Sequence, residues 1–491
     1  MKKVLILLSA LVLFGCAPKE SNGPVLTIEG GQVQGVAAPL KGVTVYRGIP
    51  YAAAPIGDLR WKEPQPVTPW KGVKVCDTFG HPGFQAVHYP GGYTTEWGYG
   101  KEQPYSEDCL YLNVWTTAPG KTDAKMPVAL WIHGGGYREG WGSEPEFEGS
   151  EWAAKGVVLV SINYRLGVFG FLTHPELAAE SPHGVSGNYG ILDQIESLKW
   201  IQKNIAQFGG DPNNVTIFGQ SAGAGSVKTL VASPLTKGLV TKAVIMSGGG
   251  LTVPQPQAAA APANSMRGPV LSPEEQAARN KEIFDWAGYD SLEKMRRAGT
   301  TEVYALPTIY GGATGQRASL TGSPVVDGWC NVKSFDEACL DGTVADIPYM
   351  MGYTMNDMGN MSAGIAAFCL NREEKGTNKA WAYEFARPLP DDGSEPGVTA
   401  RLKGAFHSSD LWFVFKTLQY CWRPWTQGDW DLSEKMLTAW TNFAKYSDPN
   451  GKDGLGWEPC TKDNTKFMVF KLDKDDKEAS ELTDPVTELG Y

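Results

Sequence analysis

The chain is poor in histidine and lacks the usual metal-binding spacings. Only six of its 491 residues are histidines, and its eight cysteines are widely spaced without a C-x-x-C pair. A zinc site is therefore not predicted. The glycine-rich stretch 219–225, GQSAGAG, has neither the G-x-G-x-x-G spacing nor the lysine of a P-loop, which excludes the two common nucleotide-binding loops at that position. We expect no metal and no cofactor.

Positive charge and long apolar runs are also scarce. The net charge is −10 and no basic tract is present, which argues against nucleic acid as a partner. Beyond residue 14 no apolar run is long enough for a transmembrane helix. The remaining composition, 42% hydrophobic and 20% charged, is typical of an ordinary globular chain with ample residues for a large core.

The first residues indicate export. Two lysines precede the apolar run 4–14, which has the length of a signal-peptide core and is too short to span a bilayer. The run ends in LFGC, which resembles a bacterial lipobox in which Cys16 is lipidated. We predict a protein anchored by lipid to the bacterial cell envelope, with free secretion as the alternative.

This interpretation divides the chain into three parts. Residues 1–16 are the predicted signal peptide with its lipobox, 17–24 a linker, and 25–491 one domain. The membrane would be a partner only through the N-terminal lipid.

Apolar strand patterns alternate with helical patterns in the first half of the chain. The segments MPVALWI, GVVLVSI, VTIFG and KAVIM are typical of buried strands, and residues 192–205 carry apolar side chains at helical spacing. This alternation predicts an α/β fold with a large, mostly parallel central sheet and helices on both faces. The early segment VLTIEGGQVQGV predicts an antiparallel hairpin at the edge of the sheet.

The pentapeptide GQSAG, residues 219–223, lies between a predicted strand and a predicted helix. In isolation it is as consistent with a Gly/Ser-rich turn as with a catalytic motif. Between a strand and a helix, however, G-x-S-x-G is typical of a sharp elbow that exposes its serine as a nucleophile. This context makes Ser221 the candidate nucleophile.

The small number of histidines restricts the choice of base. A serine hydroxyl is a weak nucleophile and needs a base, which in turn needs an orienting acid. Where the serine lies on such an elbow, the chain order is serine, acid, histidine. Only His407 follows Ser221, so His407 is the predicted base.

Two aspartates compete for the role of the acid. Asp357 follows the apolar strand pattern 347–353, and catalytic groups of open α/β sheets lie at the carboxyl ends of strands. Asp327 lies in the sequence VVDG, and Asp-Gly is a common turn pair, so a local structural role is the simpler interpretation of Asp327.

Acyl transfer also requires fixed N–H donors for the developing oxyanion. The sequence HGGGY, residues 133–137, follows a predicted strand and leaves its backbone amides unobstructed by side chains. The N–H of Ala222, directly after the serine, is the second predicted donor.

Taken together, these motifs resemble the type-B carboxylesterase family, the cholinesterase-like branch of the α/β-hydrolase fold, here in the form of a bacterial lipoprotein. The resemblance covers about residues 25 to 470. It includes the segments RGIPYAAAPIGDLRWKEPQPVTPW, SEDCLYLNVW, NYRLGVFGFL, GNYGILDQ, FGGDPNNVTIFG, FGQSAGAGSV, SPVVDG, GAFHSSDLWFVF and WTNFAKYSDPNG.

The resemblance implies roles for individual residues. Ser221 is the nucleophile, His407 the general base and acid, and Asp357 the orienting acid. The implied oxyanion donors are the amides of Gly135, Gly136 and Ala222.

The family also implies features around these residues. Cys76 and Cys109 would form a disulfide, which closes a loop containing Trp97, a candidate wall of an aromatic gorge. Gln220 replaces the glutamate that often precedes the nucleophile, which weakens any expectation of cationic substrates.

These observations predict a serine carboxylic-ester hydrolase that works through an acyl-enzyme on a small-molecule or saccharide-linked ester. A narrower alternative is a feruloyl- or acetyl-esterase acting on plant polysaccharide. An alternative of another class is a catalytically silent binding or adhesion module. Silent members of the family lack the serine or its partners, whereas this chain retains all three.

Overall fold

The computed structural model describes residues 23–88, 92–97, 99, 104–253, 271–316, 318–320, 322–394, 399–452 and 454–484. The predicted signal peptide and Cys16 lie outside these ranges. No helix within them is long and apolar enough to cross a bilayer.

Fourteen strands are formed in the described ranges. They are β1 Val25–Ile28, β2 Gly31–Gln34, β3 Val36–Ala37, β4 Thr44–Pro50, β5 Val73–Val75, β6 Tyr111–Thr116, β7 Met126–Ile132, β8 Val158–Ile162, β9 Gly210–Gln220, β10 Lys242–Met246, β11 Tyr349–Thr354, β12 Ala380–Phe385, β13 Phe467–Phe470 and β14 Glu481–Thr483.

Thirteen α-helices accompany these strands in the same ranges. They are α1 Tyr93–Trp97, α2 Ser150–Ala154, α3 Gly167–Phe171, α4 Pro175–Glu180, α5 Tyr189–Asn204, α6 Ala222–Ala232, α7 Pro273–Trp286, α8 Leu292–Arg297, α9 Thr300–Thr314, α10 Phe335–Leu340, α11 Ser362–Lys375, α12 Leu411–Phe415 and α13 Gln427–Tyr446.

Eleven strands form one large sheet in the order β14-β13-β12-β11-β10-β9-β7-β8-β6-β4-β3. The consecutive pairs from β13 to β8 are parallel, and the pairs at both edges are antiparallel. The predicted α/β fold with a mostly parallel central sheet is confirmed. The predicted strands MPVALWI, GVVLVSI, VTIFG and KAVIM form β7 to β10.

The central strands are buried on both faces, as their near-continuous apolar sequences require. In β7, Leu130 belongs to an apolar cluster that includes side chains of α5 and α6. The next residue, Trp131, points to the opposite face and joins a second cluster with α12 and α13. This alternation follows from the two-residue period of a strand and places helices on both sides of the sheet.

The early antiparallel hairpin forms from β1 and β2, with Val25 opposite Gln34. It pairs with β5 in a separate three-stranded sheet. The N-terminal edge of the large sheet is instead the antiparallel pair β3 and β4, because Gly35 separates β2 from β3 and the chain changes sheets there.

Cys76 and Cys109 are both buried free thiols, which corrects the expected disulfide. The backbone of Cys76 is fixed between two strands, since its N–H donates to the carbonyl of Gln34 (2.8 Å) and its carbonyl accepts from the N–H of Arg47 (2.9 Å). Burial raises the pKa of both thiols, that of Cys76 to about 12.

Candidate active site

Ser221 lies at the junction of β9 and α6. Strand β9 ends at Gln220 and helix α6 begins at Ala222. The φ angle of Ser221 is +57° with ψ −121°, a strained region for a residue with a side chain. The strain is characteristic of a nucleophile elbow, in which the serine side chain projects from a tight turn.

The two glycines that flank the serine permit this turn. A Cβ atom on Gly219 would lie 2.6 Å from the carbonyl of Gly223, and one on Gly223 would lie 2.1 Å from the carbonyl oxygen of Ile132 in β7. Any larger residue at either position would push the elbow away from the neighbouring strand. The G-x-S-x-G spacing therefore reflects close backbone packing around Ser221.

The HGGG loop after β7 lies against the elbow. A Cβ atom on Gly134 would lie 2.8 Å from the carbonyl oxygen of Gln220 and 3.2 Å from Cβ of Ser221. Gly135 and Gly136 have φ angles of +93° and +61°, which glycine adopts without strain. Within the described part of the chain, neither of their N–H groups donates to a backbone carbonyl.

His133, the first residue of the HGGG loop, is held in place by Tyr164. Its ring stacks on Tyr164 with centroids 4.5 Å apart, and the hydroxyl of Tyr164 donates to the carbonyl of His133 at 3.0 Å. Burial lowers the pKa of His133 to about 4, so the ring is neutral at physiological pH. His133 is a structural residue of the loop.

His407 and Asp357 are in direct contact. Nδ1 of His407 lies 2.6 Å from Oδ1 of Asp357. The carboxylate follows β11, and its other oxygen accepts hydrogen bonds from the N–H and hydroxyl of Thr354, both at 3.2 Å. The two chain segments are held together by a bridge between Asn356 and Phe406.

The surroundings keep Asp357 ionised. Burial by itself raises the pKa of this carboxyl, but the hydrogen bond and charge of His407 outweigh burial and hold the pKa below its usual range. An ionised acceptor at Nδ1 requires the proton on that nitrogen and leaves Nε2 as the basic atom.

Asp327 occupies a different environment. Its Oδ1 accepts the backbone N–H groups of Trp329 and Asn331, both at 2.9 Å, and its Oδ2 accepts from the amide of Asn188 at 2.8 Å. These contacts close a local turn and join it to the start of α5.

Gln220 lies beside the basic nitrogen of His407. Its Nε2 is 3.2 Å from Nε2 of His407, a geometry in which the amide donates to the ring. Among the described residues, the hydroxyl of Ser221 makes no hydrogen bond to His407. Catalytic hydrogen bonds are often long or misdirected without substrate, so this arrangement is compatible with a free enzyme.

Ser221, His407 and the HGGG loop line one cavity of about 670 Å³. Its aromatic and apolar walls include Tyr93, Trp97, Tyr99, Phe147 and Leu411. Trp97, the candidate gorge residue, packs against Trp412 with ring centroids 5.4 Å apart. The cavity therefore combines aromatic and apolar walls with polar groups, among them Ser221 and His407.

A buried ion pair fixes the segment that carries Trp97. The carboxylate of Glu96 accepts from Nε and Nη2 of Arg423 at 3.0 and 2.7 Å and from the indole N–H of Trp412 at 3.0 Å. Both charged side chains are completely buried. The wall of the cavity is thus tied to the C-terminal part of the domain.

Sequence reasoning missed a pair of buried carboxyl groups in this cavity, Glu144 and Glu146. They lie in the segment GSEPEFEG, whose glutamates and glycines are typical of a solvated loop. The proximity of this segment to HGGGY is the only signal in the sequence that could have drawn attention to them.

Sequence reasoning also missed Asp410 as a buried acid close to the site. It lies three residues after His407 and is fully buried, and its Oδ2 accepts from the hydroxyl of Tyr383 at 3.1 Å. Burial, followed by the charge of Asp357, raises the pKa of Asp410 to about 7. The sequence pattern cannot reveal this raised pKa, because the pKa depends on side chains that only the folded structure brings close to Asp410.

Comparison with known proteins gives several related esterases. The chain is 35% identical over 389 residues to the fumonisin B1 esterase of Sphingopyxis macrogoltabida, in an alignment that covers 77% of this chain and 65% of that protein. It is 42% identical over 236 residues to the para-nitrobenzyl esterase of Bacillus subtilis (strain 168), covering 48% and 46%. The matches thus span less than two thirds of these two relatives.

A solved structure of a thermophilic para-nitrobenzyl esterase is similar over 93% of this chain and 97% of that one, with a TM-score of 0.73 and 26% identity. The sequence profile of the Carboxylesterase family matches residues 22–369 and 361–485. A half-buried serine on a strained elbow, a glycine loop against it and a histidine in the same cavity agree with that match, and the chain belongs to the carboxylesterase family.

Proposed function

We propose that the protein is a serine carboxylic-ester hydrolase in which Ser221, His407 and Asp357 form the catalytic triad. The observation that carries the proposal is the 2.6 Å contact of Asp357 with His407, which lines the same cavity as Ser221. Family membership and the esterases among its relatives support the same activity.

In the acylation step, Oγ of Ser221 attacks the ester carbonyl while Nε2 of His407 accepts its proton. For this transfer the hydroxyl of Ser221 must replace the amide of Gln220 at that nitrogen. Asp357 stabilises the imidazolium that results and holds the ring in orientation. The bond from the carbonyl carbon to the leaving oxygen then breaks as His407 returns the proton to the alcohol.

The tetrahedral intermediate carries a negative oxygen, for which the N–H groups of Gly135, Gly136 and Ala222 are the proposed donors. Their backbone positions are set by the glycine loop and by the first turn of α6, so stabilisation requires little reorganisation. A water molecule, activated by His407, then attacks the acyl-enzyme to form a second tetrahedral intermediate, and the bond to Oγ of Ser221 breaks as His407 returns the proton to the serine.

The substrate is proposed to be an ester of a small molecule or of a saccharide. A cavity of about 670 Å³ is large enough for such a molecule. The narrower alternative, a feruloyl- or acetyl-esterase acting on plant polysaccharide, is supported by the aromatic walls near Trp97, which suit the flat faces of aryl and sugar rings.

We further propose that the protein is exported and anchored by lipid on Cys16, on the basis of the lysines, the apolar run 4–14 and the lipobox-like LFGC. Expression of the full chain with a labelled fatty acid tests the anchor. Incorporation of label that is lost in Cys16→Ala is expected, and label retained in that variant would contradict it.

The catalytic proposal is tested with Ser221→Ala and a fluorophosphonate probe. The parent protein should hydrolyse para-nitrophenyl acetate and take up one probe molecule on the peptide that contains Ser221. The variant should do neither while it unfolds at the temperature of the parent. Undiminished hydrolysis by a pure, folded Ser221→Ala protein would overturn the proposal.

A further inference from the structure

The turn that follows the HGGG loop fixes where the amides of Gly135 and Gly136 lie. The carbonyl of Gly135 accepts hydrogen bonds from the N–H groups of Arg138 and Glu139, at 3.0 and 3.1 Å. A Cβ atom on Gly135 would lie 2.1 Å from the carbonyl oxygen of Glu139. The backbone therefore folds tightly back on itself, and a shift of residues 138–140 would also move Gly135.

Gly140 lies directly against the start of the HGGG loop. A Cβ atom on Gly140 would lie 2.6 Å from Nδ1 of His133 and 3.0 Å from the carbonyl oxygen of Gly134. The φ angle of Gly140 is +99°, which glycine adopts readily and residues with a side chain rarely do. The position of Gly140 is thus coupled to that of the loop that carries the proposed oxyanion donors.

Gln85 binds both polar groups of the Gly140 backbone. Its Oε1 accepts the N–H of Gly140 at 2.9 Å, and its Nε2 donates to the carbonyl of the same residue at 3.2 Å. Nε2 also donates to the carbonyl of Gly83 at 3.0 Å. Gln85 is 3% exposed. A primary amide carries both a donor and an acceptor, and here it pairs with a peptide unit much as a neighbouring strand would.

The segment that carries Gln85 is itself anchored to the central sheet. Asn163, directly after β8, is buried. Its amide donates to the carbonyl of His81 at 2.8 Å, and its side-chain oxygen accepts the N–H of Gly142 at 2.8 Å. Asn163 therefore ties the segment of Gln85, and the chain just beyond Gly140, to the end of one strand.

A second contact joins the same two segments at the cavity. Nε2 of His88 lies 3.2 Å from Oε2 of Glu139, and both residues line the cavity that contains Ser221. The side chain of Glu139 is 54% exposed, and exposed ion pairs contribute little to stability. The buried amide of Gln85 is therefore the stronger of the two anchors.

We propose that Gln85 is a positioning residue of the oxyanion hole, whose amide holds Gly140 and thereby keeps Gly135 and Gly136 in place to donate to the oxyanion. The inference rests on the proposed ester hydrolysis and adds a residue that acts through the backbone of the HGGG loop. Fixed donors stabilise the transition state because they need no reorganisation during the reaction. Displaced donors should therefore weaken transition-state binding more than substrate binding.

Gln85→Met tests this, because methionine has a similar length and lacks the amide donor and acceptor. We expect kcat for para-nitrophenyl acetate to fall by about 10- to 100-fold, since a misplacement of about 1 Å can cost 10² in rate. Gln85→Glu keeps an acceptor for the N–H of Gly140, so its kcat should lie between those of the methionine variant and the parent. The glutamate variant also serves if the methionine variant does not fold.

Two ketones distinguish positioning from a general disruption of the site. With 1,1,1-trifluoro-2-octanone, Oγ of Ser221 adds to the carbonyl carbon and its proton moves to His407, which leaves a negative charge on the ketone oxygen. The parent ketone 2-octanone serves as a ground-state ligand of the same shape. In Gln85→Met the inhibition constant of the trifluoroketone should rise by about the factor by which kcat falls, because transition-state analogues report lost transition-state binding. That of 2-octanone should stay within about twofold.

Gln202→Met is the matched control. The amide of Gln202, in α5, donates to the backbone carbonyl of Pro212 at 2.8 Å. Its replacement should lower the unfolding temperature, while kcat and the ratio of the two inhibition constants stay at the parent values.

A folded Gln85→Met protein with kcat within twofold of the parent would overturn the inference, as would equal weakening of both ketones. A kcat for Gln85→Glu no higher than that for Gln85→Met would also overturn it, because the loss would then not depend on the hydrogen bond to Gly140. Each of these outcomes leaves ester hydrolysis by the parent intact. A parent that does not hydrolyse para-nitrophenyl acetate would overturn the proposed function itself.

Discussion

Nε2 of Gln220 lies 3.2 Å from Nε2 of His407, so an uncharged amide occupies the position beside the proposed catalytic base. A carboxylate at this position would favour the protonated ring. The amide instead donates to the ring nitrogen and adds no negative charge to the cavity.

We therefore expect Gln220→Glu to move the rising limb of the kcat/KM profile to higher pH by about one unit, since a neighbouring opposite charge stabilises the imidazolium. The parent should prefer a neutral ester over its choline isostere, and the variant should lose part of that preference. Profiles from pH 5 to 9 with both esters test this. A parent that favours the choline ester would contradict the expectation.

The second prediction separates the two candidate acids. Asp357→Asn should lower kcat by about 10⁴-fold, the magnitude given by the equivalent change in a serine protease, because asparagine permits the wrong imidazole tautomer. KM and the unfolding temperature should stay near the parent values. A variant that remains within tenfold of the parent would show that another carboxylate orients His407.

Asp327→Asn is the matched comparison, because Asp327 accepts two backbone N–H groups of its own turn. We expect a loss of about 1 to 2 kcal/mol in unfolding free energy with kcat nearly unchanged. Denaturant unfolding and steady-state kinetics on both aspartate variants give the contrast directly.

The third prediction concerns the backbone packing of the elbow. Gly223→Ala should destabilise the protein by about 3 kcal/mol or more and reduce activity, because the added Cβ would lie 2.1 Å from the carbonyl oxygen of Ile132. Gly312→Ala is the control. Gly312 is exposed in α9, its Cβ would meet nothing within 4 Å, and alanine there should stabilise the helix by about 0.8 kcal/mol. Equal effects of the two changes would reject the packing explanation.

The fourth prediction concerns pH and stability. The pKa of Asp410 is raised from its usual 3.8 to about 7, so the folded protein retains a proton that the unfolded chain releases. The associated stability is fully present below about pH 4 and is lost as the pH rises to about 7, a change of roughly 4 kcal/mol at most.

Asp410→Asn removes this titration. We expect the unfolding free energy of the parent, relative to that of the variant, to fall between pH 5 and pH 8 by a few kcal/mol. Urea unfolding at the two pH values measures the difference. A constant difference between the two proteins would show that Asp410 does not titrate in this window.

Much of the fold was predictable because burial on both faces leaves a clear signature in the sequence. The near-continuous apolar sequences of β7 to β10 reflect helices on each side of the sheet. The hairpin β1–β2 was predictable as a local structure. That the hairpin belongs to a separate sheet was not predictable, because this depends on pairing with the distant strand β5. Sequence patterns carry little information about which strands pair.

The candidate site was predictable to the extent that it depends on residue type and chain order. Ser221 is marked by its flanking glycines and His407 by the absence of any other histidine after it. Glu146 and Asp410 were not predictable, because their properties arise from burial beside other carboxyl groups. The disulfide expectation for Cys76 came from the family resemblance together with the predicted export, and the structure leaves that thiol free.

The buried pair of Glu96 and Arg423 has a consequence for ligand entry. Because both charges are fully enclosed, breaking the pair would leave an uncompensated ion in the interior, which is strongly unfavourable. Trp97, next to Glu96, is therefore held in place before a ligand enters the cavity. The aromatic surface at this wall therefore has its shape before a ligand binds. Selectivity along the wall then depends on how well a ligand fits that surface, and not on a rearrangement of the protein.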